Sequence, residues 1–106
     1  MPYRFGDFEL DEQRVQLTRD GETVQIEPQV FDVLRYLVER RGETVTKEEI
    51  LDSVWGSRFV GESALTSRIK SARRAVGDDG TRQEVIRTVH GRGYTFVAPV
   101  ELREAT

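Results

Sequence analysis

Residues 62–76 read ESALTSRIKSARRAV, and Gly77 follows them. Apolar side chains recur in this segment every three or four positions, as they do along the face of a helix that packs on a core. These positions are Leu65, Ile69, Ala72 and Val76. The spacing predicts a helix over residues 62–76 that ends at Gly77, because a glycine readily terminates a helix.

The side of this helix away from the apolar stripe is small, polar and basic. At 100° per residue, that side carries Ser63, Ser67, Lys70 and Arg74. Ser71 borders the same side, and we expect Arg68 and Arg73 to project sideways. No carboxylate follows Glu62 in the segment, whereas a face that is merely solvated usually mixes both signs of charge. The pattern favours contact with a negatively charged partner, with a plain solvated face as the alternative.

A β-hairpin is predicted directly after this helix. Residues 85–89 and 94–97 predict its two strands, and residues 90–93, His-Gly-Arg-Gly, predict the tip. We expect the geometry of the turn to require both Gly91 and Gly93, because glycine adopts positive φ without steric cost. A helix followed by a slim hairpin of this kind is typical of a winged helix.

Two shorter helices are predicted before residue 62. Pro28 suits the first position of a helix, and Gly42 follows that helix as its stop signal. Thr46 and Glu49 have the spacing of a capping box, which predicts the start of a second helix. That helix is expected to end at residues 55–56, so a glycine-containing loop connects it to the third helix.

The amino-terminal residues predict a small antiparallel sheet. Residues 3–26 contain short alternating apolar patterns, and Asp20-Gly21 is a strong signal for a two-residue hairpin turn. The order of elements therefore predicts an α+β fold, a winged helix-turn-helix with an N-terminal antiparallel β-meander, three helices and a C-terminal β-hairpin wing. We expect residues 1–100 to form this domain and residues 101–106 to be a frayed tail or a truncated linker.

Composition restricts the chemistry that is available to the chain. The sequence has 106 residues, no cysteine and one histidine, His90. A protein without cysteine has no thiolate nucleophile and no Cys-based zinc site, and a lone histidine in a turn does not suggest a catalytic triad. We predict no catalytic residue, no metal, no cofactor and no small-molecule ligand. The absence of a long apolar run and of a secretory signal leads us to expect a cytoplasmic protein.

Charge is distributed unevenly along the chain. The formal net charge is -3, which taken alone argues mildly against a polyanionic partner. Residues 1–56 hold 7 Lys/Arg and 13 Asp/Glu, whereas residues 57–106 hold 9 Lys/Arg and 6 Asp/Glu. Because screening limits the reach of distant charges to about 8–10 Å, a compact basic patch attracts phosphates even on an acidic protein.

Together these elements are suited to bind double-stranded DNA. Small side chains allow a helix backbone to approach base edges in the major groove, and neighbouring Lys and Arg side chains reach phosphates. A slim tip carrying an arginine fits the minor groove, where a narrow channel concentrates negative potential.

The sequence resembles the OmpR/PhoB-type winged-helix effector domain over about residues 3–98. The resemblance is carried by Pro28, by the Val54-Trp55-Gly56 segment, by Arg73 and above all by IRTVHGRGYTF at residues 86–96, which is similar to the family's wing signature. It implies a domain of a bacterial transcriptional regulator that binds tandem promoter repeats. It further implies that the 55–60 loop contacts a phosphate or RNA polymerase, and that the domain stands at the N-terminus of a chain with another domain after it.

The predicted DNA-binding residues are Trp55, Arg58, Ser63, Ala64, Ser67, Arg68, Lys70, Ser71, Arg73, Arg74, Thr88, His90 and Arg92. We expect Arg58, Arg68 and Arg73 to contact phosphates and the remaining residues of the third helix to read bases in the major groove. From the wing, either His90 or Arg92 enters the minor groove. Trp55 has an alternative role in the core at a helix end.

A protein-interaction module is the alternative function. Winged helices also dock proteins, and the acidic half at residues 1–56 is suited to a basic partner. An enzyme is disfavoured because no acid–base pair is clustered in the sequence. From the resemblance we expect a monomer in isolation that pairs head-to-tail on DNA repeats.

Overall fold

The computed structural model describes residues 2–56 and 61–103. It contains two antiparallel sheets that pack against helices. The first sheet has five strands, β1 (Tyr3–Phe5), β2 (Phe8–Asp11), β3 (Gln16–Arg19), β4 (Glu22–Val24) and, from the end of the chain, β8 (Glu101–Leu102). Their order across the sheet is β4-β3-β2-β1-β8. The predicted meander is confirmed by its first four strands, which pair in sequence order.

The meander has one apolar face because its strands alternate with a period of two. Leu10 and Leu17 pair across β2 and β3 and are both buried. Asp20 and Gly21 both have positive φ, 51° and 84°, in the turn between β3 and β4. Two positive φ values in a two-residue loop match the twist of a tight hairpin, which confirms the turn signal read from the sequence.

The carboxyl-terminal strand β8 corrects the prediction of a tail at residues 101–106. Glu101 and Leu102 pair with Arg4 and Tyr3 of β1, and the Arg103 N–H donates to the Pro2 carbonyl at 2.9 Å. The tail prediction is therefore wrong for residues 101–103, while residues 104–106 lie outside the described residues. Pairing of this kind covers backbone groups of β1 that would otherwise form an open sheet edge.

Three helical segments form the middle of the chain. Their bounds are α1 (Pro28–Glu39), α2 (Lys47–Ile50), which continues as a π-helical segment (Leu51–Trp55), and α3 (Glu62–Ala75). The capping box at the start of α2 is confirmed, with the Glu49 N–H donating to Thr46 Oγ1 at 3.1 Å. Gly56 has φ 66° and ends the π-helical segment.

The second sheet contains the wing. Its strands are β5 (Thr44–Thr46), β6 (Ile86–Val89) and β7 (Gly93–Phe96), in the order β5-β7-β6. The predicted hairpin of β6 and β7 is confirmed, and β5, which the sequence did not predict, makes β7 a central strand. All four residues of β7 are consequently buried.

The core lies between the two sheets and the helices α1 and α3. The predicted stripe is buried at Leu65, Ile69 and Ala72 of α3 and at Val76, the residue after its last turn. Phe5 of the first sheet meets Phe96 of the wing sheet edge-to-face, with ring centroids 5.1 Å apart. In the described part of the chain, no helix has the length and apolar character that crossing a membrane requires.

Candidate nucleic-acid interface

The outer face of α3 is exposed, as the sequence predicts. Ser63, Thr66, Ser67, Lys70, Ser71 and Arg74 are all exposed, and Ala64 is half-buried. Within residues 2–56 and 61–103, neither Lys70 nor Arg74 makes an ion pair or a side-chain hydrogen bond. Because the N-terminal sheet does not cover this face, two cationic side chains are available to a partner.

The one carboxylate of α3 is neutralised by a neighbouring helix. Lys47 Nζ donates to Glu62 Oε1 at 2.7 Å, linking the first turn of α2 to the first turn of α3. This hydrogen bond raises the pKa of Lys47 above its ordinary value. The pairing reduces the negative potential that Glu62 adds to the exposed face of α3.

Arg73 does not project into solvent, which corrects its assignment as a phosphate contact. Its side chain is only 9% exposed. Nε–H and Nη2–H both donate to the Ile86 carbonyl, at 3.2 and 3.0 Å, and Nη2–H also donates to Thr88 Oγ1 at 2.7 Å. The position of Arg73 on the helix explains this. Arg73 directly follows the buried Ala72, so its long side chain extends along strand β6 of the wing instead of into water.

Asp78 holds the same wing strand from the loop after α3. Its carboxylate accepts from the backbone N–H groups of Glu84, Val85 and Ile86 at 2.9, 3.0 and 3.1 Å. Burial raises the pKa of Asp78, but these hydrogen bonds, with one from Asp79, outweigh burial and leave its pKa below the ordinary value. Asp78 therefore braces the wing against the end of α3.

A third side chain completes these contacts to β6. The Gln83 side-chain oxygen accepts from the Thr88 N–H at 2.9 Å. Since β6 is an edge strand, its outward backbone groups need partners other than a neighbouring strand. We call Arg73, Asp78 and Gln83 the wing clamp, because their side chains supply those partners.

The wing tip is exposed and built on a tight turn. The Arg92 N–H donates to the Val89 carbonyl at 3.0 Å, and Gly91, the third residue of this turn, has φ 73°. A positive φ at that position favours glycine, so the prediction for Gly91 is confirmed. His90 and Arg92 are both exposed, and neither makes a side-chain hydrogen bond or ion pair among the residues described.

Gly93 has a different reason to be glycine from the one predicted. It does not have positive φ, and it faces the backbone of β5 at close range. A Cβ at this position would overlap the Val45 carbonyl and lie 2.9 Å from the Thr46 Cα. Close strand packing, and not turn geometry, therefore requires Gly93.

Of the other predicted DNA-binding residues, Arg68 and Trp55 are half-buried, and Arg58 lies in a segment that the structure does not describe. Arg68 is half-buried, and its Nε–H donates to the Gln29 side-chain oxygen of α1 at 3.1 Å. Trp55 is half-buried against the hydrophobic core. Arg58 and the rest of the 57–60 segment lie outside the described residues.

The outer face of α3 and the base of the wing share one cleft. Thr66, Lys70 and Arg74 of α3 line it together with Thr88 and Tyr94 of the wing sheet. Helix and wing therefore present their polar side chains on the same side of the molecule. Among residues 2–56 and 61–103, no group of three or more His, Asp or Glu side chains is arranged to hold a metal ion.

Comparison with known proteins finds one family over most of the chain. The family model described as "Transcriptional regulatory protein, C terminal" matches residues 21–96. The transcriptional regulator HilA of Salmonella typhimurium is 40% identical over 96 residues, which is 91% of this chain and 17% of HilA. The chain thus spans less than a fifth of the length of that relative.

Solved structures share the fold over nearly the whole chain. The DNA-binding domain of Escherichia coli CadC superposes with a TM-score of 0.81 at 28% identity, covering 97% of this chain and 98% of that domain. The RstA DNA-binding domain of Klebsiella pneumoniae, in complex with the RstA box, superposes with a TM-score of 0.82 at 25% identity and covers 91% of this chain and 96% of its own.

Proposed function

The chain belongs to the OmpR/PhoB-type family of transcriptional regulatory domains, and on that premise we propose that it binds double-stranded DNA sequence-specifically for a bacterial transcriptional regulator. The observation that carries the proposal is the exposed outer face of α3, where Lys70 and Arg74 lack any acidic partner among the described residues. Lys and Arg side chains that are exposed and unpaired can neutralise phosphates of a duplex and release its counterions.

In this proposal α3 lies in the major groove with Ser63, Ser67 and Ser71 facing the base edges. Small hydroxyl side chains let the helix approach closely and accept or donate hydrogen bonds to either strand. Arg74 is suited to the two acceptors of a guanine edge, because its guanidinium donates two parallel hydrogen bonds. Lys70, one turn before Arg74, supplies a compact charge for a phosphate or a base acceptor.

The wing supplies the second contact. Arg92 and His90 stand at its exposed tip, and an arginine on a slim turn fits the minor groove. Thr88 lies nearer the base of the wing, in the cleft shared with Lys70 and Arg74. In this proposal it contacts a backbone phosphate between the two grooves. Arg68, at the side of α3, and Arg58 remain proposed phosphate contacts.

The proposal includes the wider setting of the domain. The operator is a pair of promoter repeats on which two copies bind head-to-tail, while the isolated domain is a monomer. The 55–60 loop, including Trp55, contacts a phosphate or RNA polymerase. The domain acts in the cytoplasm and has no catalytic activity.

Titration of the protein with a random DNA duplex at low salt tests the proposal directly. We expect amide signals of residues 62–76 and 88–94 to shift, because the electrostatic part of binding needs no particular sequence. Selection of bound sequences from a random pool then identifies the operator. Shifts confined to residues 1–56 with a protein partner, and none with DNA, would instead establish the protein-interaction module.

A pair of single substitutions tests whether binding depends on the outer face of α3 or only on the net charge of the protein. Lys70→Ala removes a cation from the outer face of α3, whereas Arg35→Ala removes an exposed cation from α1. Each changes the net charge by the same amount. We expect only Lys70→Ala to weaken binding to random DNA and to lower the salt dependence, by about one unit in the slope of log K against log salt.

A further inference from the structure

Ile86 is held on both of its backbone polar groups by side chains of the wing clamp. Its carbonyl accepts two hydrogen bonds from the Arg73 guanidinium, at 3.2 and 3.0 Å. Its N–H donates to Asp78 Oδ2 at 3.1 Å. The two clamp residues are themselves joined, since the Asp78 N–H donates to the Arg73 carbonyl at 2.7 Å. The first residue of β6 is therefore fixed to the last turn of α3.

The clamp reaches further along the wing strand. Thr88 receives a hydrogen bond from Arg73 at its hydroxyl and donates one from its N–H to the Gln83 side chain. Only Val89 separates Thr88 from the tip residues His90 to Arg92. The Arg73 guanidinium is thus the group of α3 itself that holds the wing, beside Asp78, Gln83 and the pairing of β7 with β5.

We propose that Arg73 is a positioning residue that makes α3 and the wing tip contact DNA as one unit. The inference rests on the proposed function, since it concerns how two parts of that interface are held together. Arg73 touches no DNA in this proposal. It acts through β6 by fixing the distance between the exposed face of α3 and Arg92.

The shape of the arginine side chain explains why another cation does not replace it. A guanidinium is a planar fork, and here its Nε–H and Nη2–H converge on one carbonyl while Nη2–H also reaches a hydroxyl. A lysine ammonium keeps the charge but lacks this fixed fork. Arg73→Lys therefore leaves the local charge unchanged and loosens the link between helix and wing.

A double-mutant cycle on DNA measures this coupling. In the wild-type background we expect Arg92→Ala to weaken specific binding about tenfold. In the Arg73→Lys background the same substitution should cost less than about twofold, because a loosened wing no longer delivers Arg92 to the groove. Arg73→Lys alone should weaken binding nearly as much as Arg92→Ala alone.

Two controls show whether the effect is specific to the wing. Lys70→Ala should cost the same factor in the unchanged protein and in the Arg73→Lys background, since α3 still reaches the major groove. Arg68→Lys makes the same change of side chain on α3, but Arg68 is linked to Gln29 of α1 and not to the wing. In that background Arg92→Ala should keep its full tenfold cost.

The outcomes separate the inference from the proposed function. If the unchanged protein does not bind DNA, the proposed function fails. If it binds and Arg92→Ala costs the same factor with Arg73→Lys as without it, the positioning role of Arg73 is overturned. Should Arg73→Lys fail to fold, Thr88→Val removes one acceptor of the Arg73 guanidinium. Because Thr88 is itself a proposed DNA contact, the affinity of Thr88→Val alone is not the readout, and the cost of Arg92→Ala in that background must shrink for the inference to stand.

Discussion

Charged residues are buried and hydrogen-bonded at the base of the wing, whereas on the outer face of α3 they are exposed and, within the described part of the chain, unpaired. At the wing base, Arg73 and Asp78 are buried, and their side chains are engaged in hydrogen bonds to β6. On the outer face, Lys70 and Arg74 are exposed and have no such partner among the described residues. Arg73 and Arg74 are adjacent in the chain, so a rotation of 100° about the helix axis separates the two roles.

This contrast shows that charge content alone does not identify a binding surface. A buried arginine with bonded N–H groups contributes to the architecture, because breaking its contacts leaves a polar group unsatisfied. An exposed arginine contributes little to folding and is free to bind a partner. Substitutions at the wing base should therefore lower stability, whereas substitutions on the outer face of α3 should weaken DNA binding with little effect on stability.

The largest effect is expected at Gly93, in the wing sheet. Gly93→Ala places a Cβ against the Val45 carbonyl of β5, so the free energy of unfolding should fall by about 3 kcal/mol or more. Gly91→Ala, at the tip, meets no neighbouring atom and is strained only by its positive φ, at a cost of about 1–2 kcal/mol. Urea denaturation measures both, and equal losses would contradict the close approach of β7 and β5.

The two neighbouring arginines provide the next test. Arg73→Ala leaves the Ile86 carbonyl without its donor and should lower the free energy of unfolding by about 2–3 kcal/mol. Arg74→Ala, one residue further, should change it by less than about 0.5 kcal/mol. Thermal and urea unfolding of both variants measure these free energies. If Arg74→Ala destabilised the protein as much as Arg73→Ala, the contrast between a structural Arg73 and a non-structural Arg74 would be wrong.

Arg74 should contribute to DNA binding although it contributes little to stability. Arg74→Ala should weaken binding to the selected operator by about 1–3 kcal/mol if Arg74 bonds a guanine edge, and should relax specificity at that base pair. Fluorescence-anisotropy titration with the operator and with variants of it measures the change. Unchanged affinity and specificity would exclude Arg74 from base recognition.

The wing base should also respond to acid. Because the pKa of Asp78 is lowered in the folded state, its contribution to stability is complete above the unfolded value of about 3.9 and is lost as pH falls through the folded value. The difference in unfolding free energy between the unchanged protein and Asp78→Asn should therefore narrow below about pH 4. Asp7→Asn, at an exposed position, serves as the control, and a pH-independent difference for Asp78→Asn would contradict the prediction.

The smallest effect is expected at Arg68, which lies on the side of α3 that faces α1, away from the wing base. Its Nε–H is bound to Gln29, and the half-buried side chain remains partly open to solvent. Arg68→Ala should weaken operator and random DNA alike and reduce the salt slope by about one unit. A loss confined to the operator would show that Arg68 reads bases instead of a phosphate.

Local patterns predicted most of the fold. The apolar stripe of α3, the capping box at Thr46 and the hairpin turn at Asp20-Gly21 each depend on residues that are close in sequence, and all three are confirmed. The strands β5 and β8 were missed, because three and two residues carry too little periodicity to be recognised without their partners. Both exist through pairing with strands that are distant in sequence.

The candidate site was predicted less completely. Periodicity placed Ser63, Ser67, Lys70 and Arg74 on an exposed face because the opposite face is clearly apolar. It did not reveal the wing clamp, since Asp78 and Gln83 contact residues whose positions are set only once the wing folds back along α3. The sequence signal for Asp78 is indistinguishable from that of an ordinary turn residue.

The sequence by itself determined the order of the meander, the three helices and the wing hairpin, the apolar and polar faces of α3 and the glycine turn at the wing tip, because each follows from backbone preferences and spacing within a few residues. The tertiary structure alone decided which of two adjacent arginines is buried, why Gly93 must be glycine and how the wing is attached to α3. Those features depend on contacts between segments that meet only when the chain has folded, and no local pattern encodes which groups will meet.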